Sequence, residues 1–489
     1  MMPSFDYDVG IIGGGAAGLT TASGSARLGA KTLLIEKEPA LGGDCLHYGC
    51  VPSKTLLHTA KLYHQARTMH HFGLPEVELP PVDFAQVAER IQSVIDTIQK
   101  HDSVERFCRL GALVEFGSPE FKDEHSIRLE GRTISARTWV VATGSSPAVP
   151  PIPGLVESGY LTNKDLFSLP QLPKSLVVLG AGPIAVEMAQ AFTRLGTEVH
   201  VLQRSGQILS KEDKDMADMA LSRLLAEGVR VHLNVAVQQV EKTGDGRVVH
   251  FTNYDGEAQR LETENILVAL GRRPNVEGLG LDNAGVVTSA KGIEVDDRLR
   301  TAQKHIYAAG DVTGRHLFTH AAGYEGGIVV SNAVFHVPRK VDYSLLPWCT
   351  YTDPELASIG YNEKRAAADG MEFTVHRQEF AANDRSLAEG EEMGQIKLLV
   401  DHKDKPLGVQ ILGPHAGELV AEWVAALNGG VKTTTLAGAI HPYPTLAEVN
   451  KGVVGKLLEP KLFSEKMQKA LKFFFHFKGR ACGIDGVHD

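Results

Sequence analysis

Residues 7–36 read YDVGIIGGGAAGLTTASGSARLGAKTLLIE, and this run decides the fold. Tyr7 to Ile12 has the near-continuous apolar character of a parallel strand buried on both faces. Gly13 to Gly18 is a glycine turn, Ala17 to Leu28 has helical spacing, and Thr32 to Ile35 is a second strand, so the order is βαβ. Gly13, Gly15 and Gly18 fit G-x-G-x-x-G. The first allows a tight turn, the second lets the backbone approach a pyrophosphate, and the third lets helix and strand pack closely. The helix N-terminus then faces the phosphates. Glu36 ends the second strand 18 residues past Gly18, where a carboxylate can hold a ribose hydroxyl. An ordinary glycine turn is the alternative; the strand before, the helix after and the acid at that distance argue against it.

The pattern returns at Ser175 to Leu202 as strand, glycine loop, helix and strand. Gly180 and Gly182 open G-x-G-x-x-A, with Ala185 in the last place. Two such units predict two dinucleotide-binding domains. The second unit ends at Leu202-Gln203-Arg204. An acid there would favour NADH; a neutral and a cationic residue favour NADPH, because the arginine fork can pair with a 2′-phosphate. NADH remains possible, with Arg204 then a solvated surface charge. Asp83 to Leu110 reads as one long helical stretch containing Cys108 as a core residue, and Pro147 to Pro153 reads as a linker.

Bulk properties restrict the rest. A chain of 489 residues is too long for one core and predicts three or four domains. A net charge of −9 argues against nucleic-acid binding. No apolar run is long enough for a membrane span, and no basic segment followed by an apolar stretch opens the chain, so neither a transmembrane helix nor a signal peptide is expected. Five cysteines, an odd and small number, suit a cytoplasmic protein with at most one functional pair. No resident metal site is expected.

That pair is Cys45 and Cys50, in Gly42-Gly43-Asp44-Cys45-Leu46-His47-Tyr48-Gly49-Cys50-Val51-Pro52-Ser53-Lys54. The run resembles the active-site signature of the class I pyridine nucleotide–disulfide oxidoreductases, which include dihydrolipoamide dehydrogenase, glutathione reductase and mercuric reductase. Ala142-Thr143-Gly144, Gly271-Arg272-Arg273-Pro274-Asn275, Ala308-Ala309-Gly310-Asp311 and Tyr351-Thr352-Asp353-Pro354-Glu355 resemble the family's other markers. The resemblance extends from Tyr7 to about Gly452. It implies an α/β protein with two Rossmann-like dinucleotide-binding domains and a C-terminal α+β dimerisation domain. The divisions expected are a first FAD-binding part at 1–150, an NAD(P)-binding domain at 151–280, a second FAD or central part at 281–345, a dimerisation domain at 346–460 and a basic aromatic tail at 461–489.

The resemblance also implies the chemistry. Hydride from NADPH reaches FAD, and the flavin reduces a Cys45–Cys50 disulfide, with Cys50 beside the flavin and Cys45 meeting a disulfide or dithiol substrate. A thiolate does this work, so the sites need depressed pKa values from a helix N-terminus or a cationic neighbour. Lys54, one helical turn past Cys50, is implied to pair with Glu187. The implied cofactor-binding residues are Gly13, Gly15, Gly18, Glu36, Gly43, Lys54, Thr143, Gly144, Asp311, Gly180, Gly182, Arg204 and Gly271. A homodimer is implied, with each active site shared between subunits.

The sequence departs from the disulfide reductases at His441-Pro442-Tyr443-Pro444-Thr445-Leu446-Ala447-Glu448. Aligning Pro444, Thr445 and Glu448 puts Tyr443 where those relatives carry a proton-shuttling histidine, and His441 two residues early. A phenol with a pKa near ~10 is a poor base at neutral pH. Mercuric reductase also has tyrosine here, which leaves a soft-metal-ion reductase as one alternative and an NAD(P)H oxidase or quinone reductase as another. His441 is expected either to replace the missing base or to be packed. Cys482 is expected to be exposed. The tail from Glu465 to Lys478 interleaves phenylalanines with lysines, which suits an anionic membrane surface or a protein groove; a helix packed on its own dimer is the plainer reading.

Overall fold

The structure is a computed structural model that describes residues 4–479. It contains two compact units. The first comprises residues up to Leu346 together with Thr350–Thr352; the second comprises Pro347–Cys349 and residues from Asp353 onward.

The first unit is built on two sheets whose central strands are parallel, the first carrying two further antiparallel strands, Ser126–Leu129 and Glu120–Phe121, at one edge. In one, the strands run in the order Ala112–Phe116, Thr32–Glu36, Tyr7–Ile12, Arg132–Val141, and Ile306–Ala308 pairs with the last of these. Ile11 lies opposite Leu34 and Ile12 opposite Ile35, all four buried, so the apolar run does become a central strand covered on both faces. The return of Ile306–Ala308 to this sheet makes the first dinucleotide-binding domain discontinuous in sequence. The chain between them forms the second sheet, in the order Arg230–His232, Glu198–Leu202, Ser175–Leu179, Asn265–Val268, again all parallel. An antiparallel ribbon, Ala236–Thr243, Gly246–Thr252 and Ala258–Thr263, is appended to it.

Small residues let the helices of the first sheet sit close. The helix Ala16–Arg27 packs on Thr319–Ala333, and a Cβ on Gly24 would meet Val330 Cγ2 at 2.8 Å, while one on Gly326 would meet the Ala17 carbonyl at 2.7 Å. In the second unit an antiparallel sheet runs Glu355–Gly360, Pro406–Gly413, Gln395–Val400, Thr374–Glu379. The helices Ala416–Asn428 and Glu448–Leu462 pack against it. Trp423, fully buried, donates its indole N–H to Asn450 Oδ1 at 2.8 Å and ties these two helices together.

Two expectations need correction. The stretch 83–110 is two helices, Phe84–Gln99 and Val104–Leu110, parted by a 3₁₀ turn at Lys100–Asp102. Ser103 starts the second helix by accepting from the Arg106 N–H, a local cap that overrides the continuous apolar spacing. Cys108 is exposed, not core, because Phe107 holds the inward position and the next residue is turned about 100° away. No described helix is long and apolar enough to cross a membrane.

The third glycine of the first loop is the tightest point: a Cβ on Gly18 would lie 1.8 Å from the Gly13 carbonyl oxygen. At Gly182, in the second loop, a Cβ would meet nothing within 4 Å. Gly18→Ala is therefore expected to cost about 1–3 kcal/mol and to lower both Tm and bound flavin, while Gly182→Ala leaves Tm unchanged. Thermal melts and the flavin-to-protein absorbance ratio check both.

Candidate active site

The cysteine pair sits where a short helix meets a long one. Gly42 and Gly43 take positive φ values of 113° and 60° and open the helix Gly43–His47, which carries Asp44 and Cys45. Cys50 is the first residue of the long helix Cys50–Thr68. Gly49 stands between them, and a Cβ there would meet the Asp44 carbonyl at 2.9 Å and Cys45 Cα at 3.1 Å. Only the missing side chain allows the two cysteine segments to close on each other. Both sulfurs are free thiols and they share a hydrogen bond.

The two thiols are driven apart in acidity. The hydrogen bond from Cys45, with further support from Thr319 and the Lys54 charge, lowers Cys50 to about 6 against the opposing effect of burial. Thr319 Oγ1 lies 3.4 Å from Cys50 Sγ. The helix N-terminus adds partial positive charge at the same sulfur. Cys45 moves the other way, pushed far above the ordinary thiol value by its hydrogen bond to Cys50 and then by burial. In the reduced pair Cys50 is the thiolate and Cys45 holds the proton.

Lys54 lies one turn along the same helix. Its ammonium is 2.8 Å from Glu187 Oε2 and sits 4.4 Å from the centre of the Tyr351 ring. Glu187 is buried on the helix Pro183–Leu195, and its other oxygen accepts from the Tyr351 N–H at 2.8 Å. A buried carboxylate held at both oxygens fixes the cation in place.

The first glycine loop forms a cradle. Gly13 takes φ +111°, where a Cβ would meet the Ala142 carbonyl at 2.3 Å. Gly15, at the N-cap of the helix Ala16–Arg27, has only Gly43 Cα near its missing Cβ, at 4.0 Å. Glu36 is buried and accepts from the backbone of Gly14 at 2.6 Å, Lys37 at 2.7 Å and Glu38 at 2.9 Å. Thr143 and Gly144 are pinned to Asn275: Thr143 Oγ1 donates to the Asn275 carbonyl at 2.7 Å, and the Asn275 N–H donates to the Gly144 carbonyl at 3.0 Å. Asp311 accepts from Ser145 Oγ at 2.6 Å, and burial raises its carboxyl above the usual range. An open helix N-terminus, a fixed acid at the end of the second strand and a desolvated acid fit the pyrophosphate, ribose and polyol parts of FAD.

One arrangement was not foreseen. Arg272, beside the anticipated Gly271, donates to Ser145 Oγ at 2.7 Å, lies 3.8 Å from Asp311 and pairs with Asp44 at 3.1 Å. Asn163 donates to the other oxygen of Asp44 at 3.1 Å. The residue preceding Cys45 is thus linked through one arginine to the acid at Asp311. The only sequence signal for it was the Gly271-Arg272-Arg273-Pro274-Asn275 marker itself.

In the second loop Gly180 takes φ +101° and Pro183 occupies the first helical position, where its missing N–H costs nothing. Gly182 leaves open space. Gly271 takes φ +117°. Arg204 is exposed just beyond the strand Glu198–Leu202.

In the second unit Tyr443 and Glu448 line a cavity of about 340 Å³ with Asn383, Asp384 and Lys451. Tyr443, 71% exposed, donates its hydroxyl to Asp384 Oδ2 at 2.8 Å, and that bond raises the phenol above its ordinary pKa. Glu448 begins the helix Glu448–Leu462. His441 does not line this cavity. Its Nε2 is 3.0 Å from Glu422 Oε1, Glu422 Oε2 accepts from Asn450 at 2.8 Å, and Nδ1 is buried without a hydrogen-bond partner among the described residues. Cys482 lies outside the described residues.

Because Lys54 stabilises the Cys50 thiolate, Lys54→Met removes a cation and must raise that pKa. The midpoint of the pH dependence of iodoacetamide alkylation is expected to move up from about 6. A rise of about one pH unit slows alkylation at pH 6 about fivefold; an unmoved midpoint would show that Lys54 has no hold on the sulfur.

Comparison with known proteins agrees with this geometry. The profile of the pyridine nucleotide-disulphide oxidoreductases matches residues 7–326, and that of their dimerisation domain matches residues 346–453. A mercuric reductase of Staphylococcus aureus is 34% identical over 445 residues, covering 91% of this chain and 81% of the relative. A dihydrolipoyl dehydrogenase of Geobacillus stearothermophilus is 35% identical over 448 residues, covering 90% and 93%. Among solved structures, the HOCl-induced flavoprotein disulfide reductase RclA from Escherichia coli aligns with a TM-score of 0.83 at 29% identity, covering 92% of this chain and 99% of that one. Its Cu(II) complex aligns at 0.82. The chain belongs to the pyridine nucleotide-disulphide oxidoreductases: it is an FAD-dependent NAD(P)H oxidoreductase carrying that family's dimerisation domain.

Proposed function

We propose that this protein is a cytoplasmic NADPH-dependent reductase whose working group is the Cys45–Cys50 pair. The observation that carries the proposal is the meeting of two free cysteines at the N-terminus of the helix Cys50–Thr68, with Thr319 Oγ1 3.4 Å from Cys50 Sγ and the Lys54 cation one turn along. FAD, when bound, supplies the chemistry of accepting hydride from the nicotinamide and handing an electron pair to the sulfurs. Cys50 is the sulfur at the flavin side. Cys45, once deprotonated, attacks a substrate disulfide, releasing one thiolate and forming a mixed disulfide; Cys50 then attacks Cys45, re-forming their own disulfide and releasing the second. The sum is NADPH, a proton and a disulfide giving NADP⁺ and two thiols. Gly13, Gly15, Gly18, Glu36, Gly43, Thr143, Gly144 and Asp311 hold FAD. Gly180, Gly182 and Gly271 hold the nicotinamide dinucleotide, and Arg204 selects the 2′-phosphate of NADPH.

In the homodimer each centre combines Cys45 and Cys50 of one subunit with Tyr443 and Glu448 of the other. The Tyr443–Asp384 bond favours a second reading, reduction of a soft metal ion. A disulfide leaves a thiolate that needs a proton, and Tyr443 is a weaker acid than a free phenol because Asp384 holds its hydrogen. A soft cation such as Hg(II), held by two thiolates, would be reduced to the metal by the two electrons that NADPH supplies and would need no proton at the site. The mercuric reductase relatives and the Cu(II) complex of RclA fit this reading.

The test is steady-state turnover with oxidised lipoamide, glutathione disulfide, Hg(II), Cu(II) and a quinone, each with NADPH and NADH, for the native enzyme and Cys50→Ser. Turnover of a disulfide or soft ion with NADPH, abolished in Cys50→Ser, is expected. Quinone reduction that survives Cys50→Ser as the only activity would contradict the role of the sulfurs, and equal or better use of NADH would contradict that of Arg204.

A further inference from the structure

The residues after the dimerisation domain fold as a helix that no other described residue of the chain buries. Glu465–Phe475 is helical, capped by Ser464, whose hydroxyl accepts from the Met467 N–H at 3.3 Å, and none of its residues is buried. Phe473, Phe474, Phe475 and Phe477 are 74%, 71%, 64% and 56% exposed. Such aromatic surface left in water opposes solubility unless something covers it.

The arrangement says what covers it. At about 100° per residue, Met467, Ala470, Leu471 and Phe474 share one side of the helix, with Phe475 at its margin. Lys466, Lys469 and Lys472 share the other, where Phe473 lies among them. Residues 464–479 hold four lysines and one glutamate, a net +3, while the whole chain carries −9, so the rest sums to −12. The acidic bulk of the protein is repelled by an anionic surface, and the helix is the segment with the opposite sign. Lysines along one side of an aromatic stripe let their stems lie over apolar material while the ammonium groups reach a plane of phosphates. A groove in a folded protein would ask instead for acids at matching points.

We propose that the helix Glu465–Phe475 docks flat on an anionic phospholipid bilayer, its phenylalanine face in the acyl boundary and its lysines at the headgroups. One short helix of this kind binds weakly and reversibly; a homodimer presents two, and linking them raises the apparent affinity without a new contact. The reductase is then a peripheral membrane protein in part of its population, and salt controls that part.

The experiment uses the full-length holoenzyme with vesicles of phosphatidylcholine, with and without phosphatidylglycerol, read by co-sedimentation. Two variants accompany it: deletion of residues 464–489, and Phe474→Ser with Lys469→Gln. Bound flavin and dimer mass are measured for each. The expected result is binding to the anionic vesicles at least about tenfold tighter, ~1.4 kcal/mol, than to phosphatidylcholine alone. It should be lost in both variants, and lost when salt shortens the Debye length to about 3 Å. A full-length protein that stays in the supernatant with anionic vesicles overturns the proposal. So does deletion of the tail that leaves vesicle binding intact. Dissociation of the dimer on deletion, with no vesicle binding by the native protein, overturns it in favour of a helix packed on the second copy.

Discussion

One proton shared between two sulfurs sets the character of this protein. Cys45 and Cys50 approach closely because Gly49 has no side chain to hold their segments apart, and the N-terminus of a 19-residue helix stands at Cys50. The negative charge therefore settles on Cys50 and the proton on Cys45. The Lys54–Glu187 pair keeps a cation one turn away, and Arg272 connects the residue before Cys45 to Asp311. The same short segment that carries the sulfurs brings Gly43 against Gly15, so the redox pair and the phosphate loop are built by one piece of chain.

The parts of the site that lie close together in sequence were readable from it. Glycine loops are local devices: Gly13, Gly18 and Gly180 are required by tight turns and close approaches within a few residues or to the adjoining strand. The position of Glu36 follows from strand length, and the pairing of Lys54 with Glu187 followed from family resemblance and is present at 2.8 Å. The contacts that escaped are those between residues far apart in sequence. Tyr443 could be placed by alignment, but its partner Asp384 lies 59 residues earlier on a different element, and no periodicity connects them. The link from Arg272 to Asp44 is of the same kind. The single long helix expected over 83–110 failed for the opposite reason: a local signal, the Ser103 cap, outweighed a regular apolar spacing.

The C-terminal unit separates two residues that sequence proximity invites one to group. His441 and Tyr443 are neighbours in the chain, yet His441 is drawn into a buried set with Glu422 and Asn450, while Tyr443 projects into the cavity beside Asp384 and Glu448. The hydrogen bond from this imidazole to Glu422 ties the segment before Tyr443 to the helix Ala416–Asn428. An exposed phenol whose hydrogen is already donated offers lone pairs rather than a proton.

The most direct test of the account is an anaerobic titration of the oxidised holoenzyme with NADPH, followed by absorption and by counting thiols. The account predicts two new thiols per subunit, at Cys45 and Cys50, together with a long-wavelength absorption from the Cys50 thiolate beside the flavin that fades as the pH falls below about 6. Complete bleaching of the flavin with no new thiols and no such absorption would contradict it.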